Sequence, residues 1–150
     1  MKRIDTSQKH FLPFKRDHSD KGDFDEIFIA SNAVLDAHTT VIPVDNWNLK
    51  RYGSNGQVFY QHYGYGDEGW LTGKSPDPDD VIAKGTAWKD GDSIKLGIIW
   101  DDVSDNVKAE KIRKKVENGF LNAVSVGFFE LTSGRYLTSE GEEVGFKDAD

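Results

Sequence analysis

A serine near the C-terminal end of the chain lies in a pattern that could hold a nucleophile. It belongs to the apolar stretch Gly119–Phe128, with the sequence GFLNAVSVGF. The composition of this stretch predicts a β-strand on which Ser125 shares one face with Ala123 and Gly127. Both neighbours are small, so the hydroxyl would have open space for a second molecule. A serine hydroxyl is a weak nucleophile until a base takes its proton, and a strand serine that only hydrogen-bonds to backbone is the alternative interpretation.

Histidine is the usual base for such a serine, because its pKa lies near neutrality. The chain has four histidines, and three of them lie in a polar N-terminal stretch or a predicted turn, which offer no rigid support. The fourth, His62, ends the predicted strand Gln57–His62 beside a glycine-rich turn at residues 64–69. On that strand His62 would share a face with Val58 and Tyr60. We expect His62 to be the base if folding brings it to the serine; an isolated structural or exposed histidine is the alternative.

Other polar and aromatic groups are explained without a ligand. Asp77, Asp79 and Asp80 lie between prolines without a histidine pair or EF-hand spacing, so we expect a solvated loop and no metal site. The four tryptophans and five tyrosines could line a sugar- or peptide-binding face, but we expect most of them to pack in or around the core. The basic residues of the predicted helix are expected to face solvent, with docking to an acidic surface as the minor alternative.

Composition places the chain among ordinary globular domains. Its 150 residues are 37% hydrophobic and 30% charged, which suits one domain with a modest core. The lack of cysteine excludes disulfide scaffolds, thiol nucleophiles and cysteine-bound zinc. No apolar run approaches the roughly 18 residues of a membrane span, and the basic N-terminus lacks the apolar run of a secretory signal.

Charge is distributed unevenly along the chain. Residues 1–23 carry six Lys/Arg against four Asp/Glu, and the remaining residues have a net charge of -9. A body this acidic repels phosphate backbones, which argues against nucleic-acid binding as the main function.

The hydrophobic pattern predicts a flexible N-terminal arm at residues 1–23 and a mostly β domain at residues 24–150. Many short strands with glycine-containing turns favour a closed or partly closed barrel. Asp-Gly between two of these strands predicts a tight hairpin. The predicted strands are Ile27–Ala30, Val41–Val44, Gln57–His62, Val81–Trp88, Ile94–Trp100 and Gly119–Phe128, with a last hairpin around residues 133–142.

One helix is predicted, from Asp105 to Glu117. We expect Ser104 to cap its N-terminus and Asn118-Gly119 to end it. Its buried stripe, at helical spacing, comprises Ala109, Ile112 and Val116.

The serine and histidine segments together resemble the prohead proteases of tailed bacteriophages, of the HK97-like type. In that family an acidic turn is followed by a segment with Trp and Leu, then by an Asn before an apolar strand ending in His, and later by a helix leading into the serine motif. The resemblance covers residues 27–129, and the serine motif is its most specific part. The corresponding segments here are Asp36–Thr39, Asn46–Leu49, Asn55–His62 and Gly119–Phe128.

The resemblance implies a serine endopeptidase with Ser125 as nucleophile, His62 as base and no cofactor. It also implies the fold of the herpesvirus assembly proteases, a β-barrel with one or more flanking helices. Such an enzyme acts inside the phage prohead, in the bacterial host cytoplasm, where it cuts the scaffold or the scaffold-like arm of the major capsid protein and usually itself. Neither a membrane nor a nucleic acid is expected as a partner, and a homodimer is expected only by analogy.

Two points depart from the family or stay open. Family members continue into a further apolar strand, so we expect the domain to lack a C-terminal segment after Asp150. Glu130 follows the serine motif closely but would lie on the opposite strand face. The third member of the triad is therefore left open among Asp36, His38, Asp101 and Asp102.

Two other functions compete with the peptidase. One is a non-catalytic capsid- or scaffold-binding β domain of the same fold, which predicts that Ser125 and His62 lie apart or that the groove is filled. The other is a carbohydrate- or peptide-binding module, which predicts several exposed tryptophans on one concave face.

Overall fold

The computed structural model describes residues 20–34, 40–62, 77–102, 104–128, 130–139 and 142–149. The described residues form a mostly β fold, as the sequence predicts. The strands are β1 (Glu26–Asn32), β2 (Thr40–Val41), β3 (Gln57–Phe59), β4 (Val81–Asp90), β5 (Ser93–Trp100), β6 (Glu130–Ser139) and β7 (Glu142–Ala149), and the α-helices are α1 (Lys50–Ser54) and α2 (Val107–Glu117). Short 3₁₀ helices lie at Val44–Asn46, Tyr60–His62 and Pro78–Asp80. The predicted arm up to residue 19 and the glycine-rich turn at residues 64–69 lie outside the described residues.

Four strands form an open antiparallel sheet in the order β1-β5-β4-β3. β4 and β5 pair in unbroken register up to a two-residue turn, which confirms the predicted hairpin. Gly91 in that turn has a φ of 60°, a left-handed conformation that glycine adopts without steric cost. In the part of the chain that the structure describes, β1 and β3 are the edges of this sheet.

A second, three-stranded sheet has the order β2-β7-β6. β6 and β7 form an antiparallel hairpin, as predicted, and the two-residue strand β2 runs parallel to β7. The strand predicted at Val41–Val44 is shorter than expected. After Pro43 the chain enters a 3₁₀ helix instead, which leaves Val44 and Trp47 buried in the core.

The core lies between the four-stranded sheet and α2. Phe28, Ile82 and Ile98 supply part of the sheet side and are at most 5% exposed. Complete burial of side chains of this size stabilises the fold by about 1.5–3 kcal/mol each. The helix side comes from the predicted stripe of α2, in which Ala109, Ile112 and Val116 are all buried.

The N-terminus of α2 differs from the prediction, because its cap is Asn106 and not Ser104. Asn106 is 1% exposed, and its Oδ1 accepts from the Ala109 amide at 2.9 Å. Its Nδ2 lies within 3.2 Å of two backbone carbonyls at the start of β4 and of the Asp101 carboxylate. An amide side chain can accept the helix N–H through its oxygen and donate two hydrogen bonds through its nitrogen. A serine hydroxyl has only one hydrogen to donate. The Asn106 side chain therefore joins the helix to the sheet.

The C-terminus of α2 ends at Asn118-Gly119, as predicted. Gly119 has a φ of 75°, its amide donates to Val116 O at 3.0 Å, and the amide of Phe120 donates to Lys115 O at 2.8 Å. These two bonds and the left-handed glycine form a Schellman motif. This helix end fixes the direction in which the chain enters the Ser125 segment.

Candidate active site

A large apolar groove lies over the inner face of the four-stranded sheet. Its volume is about 1010 Å³, at the upper end of the roughly 300–1,000 Å³ of typical ligand pockets. Its walls come from α2, from residues between 47 and 61 and from residues 121–127, and Arg51 is the one charged residue among the described residues that line it. A groove of this size and polarity suits an extended, largely apolar ligand.

Ser125 lies exposed on a wall of this groove, but the segment that carries it is not the predicted strand. Residues 121–128 have no regular secondary structure. The side chains that turn inward are Leu121, Val124 and Phe128, which pack against the core. Their spacing of three and four residues differs from the alternation of a strand. The prediction of a strand at Gly119–Phe128 is therefore wrong. After leaving α2, the chain packs these side chains against the core without pairing in a sheet.

The open space expected around the Ser125 hydroxyl is present. Ala123, Ser125 and Gly127 are all exposed, and all three line the groove. In the described part of the chain, the amides of residues 123–128 have no backbone hydrogen-bond partner. The segment thus presents a hydroxyl and several unpaired N–H groups beside the groove.

The predicted strand Gln57–His62 ends early, at Phe59. Tyr60–His62 form a 3₁₀ turn in which Gln61 has a φ of 54° and a ψ of 39°. A non-glycine residue in this left-handed region is strained, and such residues occur preferentially at functional sites. The expectation that Val58, Tyr60 and His62 share one strand face is therefore wrong.

The turn nevertheless places part of the histidine segment on the groove that Ser125 lines. Tyr60 and Gln61 line the same groove as Ser125, and His62 is the next residue. The side chain of His62 lies outside the described part of the structure, so its contact with Ser125 remains a prediction. The sequence gives no sign of the kink, because glutamine is an ordinary strand residue and glycine would be the usual signal of a left-handed position.

The candidates for a third triad member are not brought to this groove where they are described. Asp101 and Asp102 line a different, polar pocket of about 430 Å³, together with Lys21 and Arg113. The backbone and hydroxyl of Ser104 donate to Asp102, and these hydrogen bonds lower the pKa of its carboxyl group. Asp36, His38 and the side chain of Glu130 lie outside the described residues.

One wall of the groove is held by a close approach between two glycines. The amide of Gly85 in β4 donates to Gly56 O at 3.1 Å, and a Cβ at Gly56 would overlap the Gly85 carbonyl. Tyr52 of α1 covers this contact and donates from its hydroxyl to Gln57 O at 3.2 Å. Burial raises the pKa of Tyr52 to about 12. The glycines thus let α1 and β3 lie directly against β4.

Trp47 is the one buried polar side chain of the described structure whose polar atom has no hydrogen-bond partner. It is 6% exposed and lines the groove, and its Nε1 contacts no acceptor among the described residues. A buried donor left unpaired costs about 1–3 kcal/mol. Its ring meets the ring of Phe128 edge-on, with 5.5 Å between centroids. The sequence predicts a packing role for this tryptophan but not its unpaired donor.

Of the three aspartates before β4, Asp79 is exposed as the sequence predicts, but Asp77 and Asp80 are not simply solvated. Asp80 is 5% exposed, and Lys108 of α2 pairs with Asp80 at 2.5 Å and with Asp77 at 2.8 Å. These bonds raise the pKa of Lys108. Within the described ranges, no group of three or more His, Cys, Asp or Glu side chains could hold a metal ion. Asp77 and Asp80 therefore fasten α2 to the start of β4.

None of the three described tryptophans is fully exposed, so they do not form the exposed aromatic face that a carbohydrate-binding module predicts. Trp47 is buried, Trp88 stacks on Phe24 with 5.6 Å between ring centroids, and Trp100 is partly buried against the core. Trp70 lies outside the described residues. The arrangement favours the packing role that the sequence predicts for most tryptophans.

No protein-family model, curated protein or solved structure matches this chain. Among the described residues, no helix is both long and apolar enough to span a membrane.

Proposed function

We propose that the protein is a serine endopeptidase that cleaves the scaffold, or the scaffold-like arm of the major capsid protein, during phage prohead maturation, and that it also processes itself. One observation carries the proposal: Ser125 is exposed on the wall of a large apolar groove. A nucleophile needs an accessible position beside a site that can hold its substrate. The resemblance of the serine and histidine segments to prohead proteases supplies the reaction and the biological setting.

The unpaired amides beside Ser125 support a peptide as the substrate. An extended peptide binds through its main chain when a protein segment offers free N–H and C=O groups, and pockets for its side chains add specificity. The segment at residues 123–128 offers such amides, and the apolar groove lies directly beside it.

The mechanism follows from the roles of the two residues. His62 takes the proton of the Ser125 hydroxyl as Oγ attacks the peptide carbonyl, and amides of the 123–128 segment hold the resulting oxyanion. Each such donor contributes about 3 kcal/mol to lowering the barrier. His62 then gives the proton to the leaving amine, and water hydrolyses the acyl-enzyme.

Several further features belong to the same proposal. We also propose the fold of the herpesvirus assembly proteases, a β-barrel with flanking helices, to which the open sheet and α2 would contribute. The protein acts inside the prohead in the bacterial cytoplasm, needs no cofactor and forms a homodimer by analogy with the herpesvirus enzymes.

A second candidate function is a non-catalytic domain that binds capsid or scaffold polypeptide. The placement of Asp101 and Asp102 in a separate pocket favours it, because no described carboxylate orients a base in the groove. The groove would then bind a segment of the partner without cleaving it.

Peptide cleavage distinguishes the two functions. The purified protein is incubated with a peptide mixture derived from proteome digests, and new peptide ends are mapped by mass spectrometry. We expect cleavage at a consistent site by the unmodified protein and by Ser104→Ala, and none by Ser125→Ala at an unchanged melting temperature. Equal cleavage by Ser125→Ala would refute the assignment of the nucleophile.

A further inference from the structure

We propose that Asn55 is a modification site, at which asparagine deamidates spontaneously to aspartate and isoaspartate in the folded protein and thereby alters the wall of the groove. The inference goes beyond the proposed function and does not depend on peptide cleavage. The chain contains two Asn-Gly pairs, Asn55-Gly56 and Asn118-Gly119. Asn-Gly is especially reactive in this chemistry, because glycine has no side chain to hinder its amide nitrogen.

The reaction needs the amide nitrogen of the glycine and the side chain of the asparagine. The nitrogen gives its proton to hydroxide from the solvent and attacks Cγ of the asparagine; the new N–Cγ bond closes a succinimide ring, the C–N bond of the side-chain amide breaks, and ammonia leaves. Water then opens one of the two ring carbonyls and yields aspartate or isoaspartate. Any hydrogen bond made by the two reacting groups must break first, so such bonds slow the reaction.

At Asn55-Gly56 both reacting groups are available. Asn55 is exposed where α1 ends, and neither its side chain nor the amide of Gly56 has a hydrogen-bond partner among the described residues. The bond from the Asn55 amide to Tyr52 O at 3.1 Å involves neither reacting group. The helix α1 has only five residues, and a helix this short opens locally more readily than a long one.

At Asn118-Gly119 the same two groups are held at the end of α2. The Gly119 amide donates to Val116 O at 3.0 Å, and Nδ2 of Asn118 donates to Lys114 O at 2.7 Å. Asn118 is exposed, as Asn55 is. Hydrogen bonding, and not access to solvent, therefore separates the two sites.

Isoaspartate at position 55 changes the groove wall in two ways. It carries the main chain through the former side chain, which inserts one methylene directly before Gly56. Since Gly56 O accepts from the Gly85 amide at 3.1 Å and a Cβ at Gly56 would overlap the Gly85 carbonyl, the longer backbone displaces this close contact. Asn55 lines the groove, so the new carboxylate also adds a negative charge where Arg51 is the one charged residue of the described lining.

The rates are measured on the whole chain, which is kept in neutral buffer, sampled at intervals, digested under mildly acidic conditions and analysed by peptide mass. We expect the exchange of an amino group for a hydroxyl at Asn55 to be at least about 10-fold faster than at Asn118, where hydrogen bonds oppose it. In concentrated urea the two rates should be similar, because neither pair is then held. Equal rates in the folded protein, or an Asn55 that stays unmodified while the unfolded chain reacts, overturn the proposal.

Two variants assign the reaction to its residue. Asn55→Gln needs a larger ring and should lose the fast reaction, whereas Asn118→Gln should keep it. Methylation of the aged protein by an isoaspartyl methyltransferase, with S-adenosylmethionine as methyl donor, should label the peptide that contains residue 55. Fast ammonia release that persists in Asn55→Gln would refute Asn55 as the site.

The effect on the groove wall is tested with Asn55→Asp, which carries the new charge without the inserted methylene. The isoaspartate form is separated from the aged protein by ion exchange. We expect it to melt at a lower temperature than both the unmodified protein and Asn55→Asp, because only the isoaspartate form displaces the contact between Gly56 and Gly85. A melting temperature equal to that of Asn55→Asp would refute this effect.

Discussion

Ser125 is distinguished from an ordinary surface serine by its position. It is exposed on the groove, and the amides around it have no backbone partner in the described structure. The strained residue Gln61, which directly precedes His62, lies on the same groove. These local features are what a nucleophile and its base require, and each can be probed by changing one residue.

The chain contains no cysteine, so Ser125→Cys introduces a single thiol at the proposed nucleophile. We expect this thiol to react rapidly with iodoacetamide in the native protein, with a pKa below the usual value of about 8.5, because His62 stabilises the thiolate. The rate of alkylation measured against pH gives the pKa.

Ser104→Cys is the matched control, because Ser104 is also exposed but lies outside the groove. Its thiol should show a pKa at or above the ordinary value, because the Ser104 hydroxyl lies beside the Asp102 carboxylate. Combining Ser125→Cys with His62→Gln should restore an ordinary pKa at residue 125. Indistinguishable pH profiles for the two single variants would contradict an activated site.

At the scale of elements, α2 determines where the Ser125 segment begins. Its N-terminus is held by Asn106 and by the pairs of Lys108 with Asp77 and Asp80. Its C-terminus ends in the Schellman motif at Gly119. Because both ends are fixed, the segment after the helix starts from a defined position against the sheet.

Loss of the cap should loosen this arrangement. We expect Asn106→Ala to lower the free energy of unfolding by about 2–4 kcal/mol, since it removes the cap and the hydrogen bonds to the Asp79 and Val81 carbonyls. Ser104→Ala should change it by less than about 0.5 kcal/mol. Chemical denaturation of both variants measures the difference. A larger loss of unfolding free energy for Ser104→Ala than for Asn106→Ala would identify Ser104 as the cap, as the sequence predicts.

The sequence predicts α2 and the two hairpins well because their signals are local. The stripe of Ala109, Ile112 and Val116 and the stop at Gly119 follow from helical spacing and backbone freedom. The Ser125 segment was wrongly predicted as a strand, because its apolar composition is the same whether it pairs in a sheet or packs through Leu121 and Val124 against the core. Tertiary contacts decide between the two.

The candidate site was predictable only in part. Ser125 and its small neighbours follow from the motif, and their exposure agrees with the expectation. The kink at Gln61, the unpaired donor of Trp47 and the burial of Asp80 have no local sequence signal, because each depends on partners distant along the chain.

At the scale of the whole molecule, an acidic protein carries an almost uncharged groove. The net charge is -7, yet Arg51 is the one charged residue in the described lining. A net negative charge repels phosphate backbones, while the groove offers apolar contacts. This separation is consistent with the proposed polypeptide substrate.

Stability of the whole fold should fall in alkaline solution because of Tyr52. Burial raises its pKa from 10.0 to about 12, so the unfolded chain releases the proton first. Between pH 10 and 12 the folded state holds more protons, and the free energy of unfolding falls as pH rises. We expect about 1–2 kcal/mol to be lost over this range, a figure reduced because the ring is partly exposed.

Urea denaturation at several pH values measures this effect. Tyr52→Phe lacks the titrating hydroxyl, so its stability should fall less steeply above pH 10 than that of the unmodified protein. Parallel curves for the two proteins would show that Tyr52 does not couple folding to alkaline pH.

The most direct test of the central claim is the reaction of the whole chain with an alkyl fluorophosphonate, followed by intact mass and mapping of the modified residue. The account predicts one adduct, on Ser125, that is retained in Ser104→Ala and lost in Ser125→Ala and His62→Gln. A folded protein that forms no adduct on Ser125 would contradict the account.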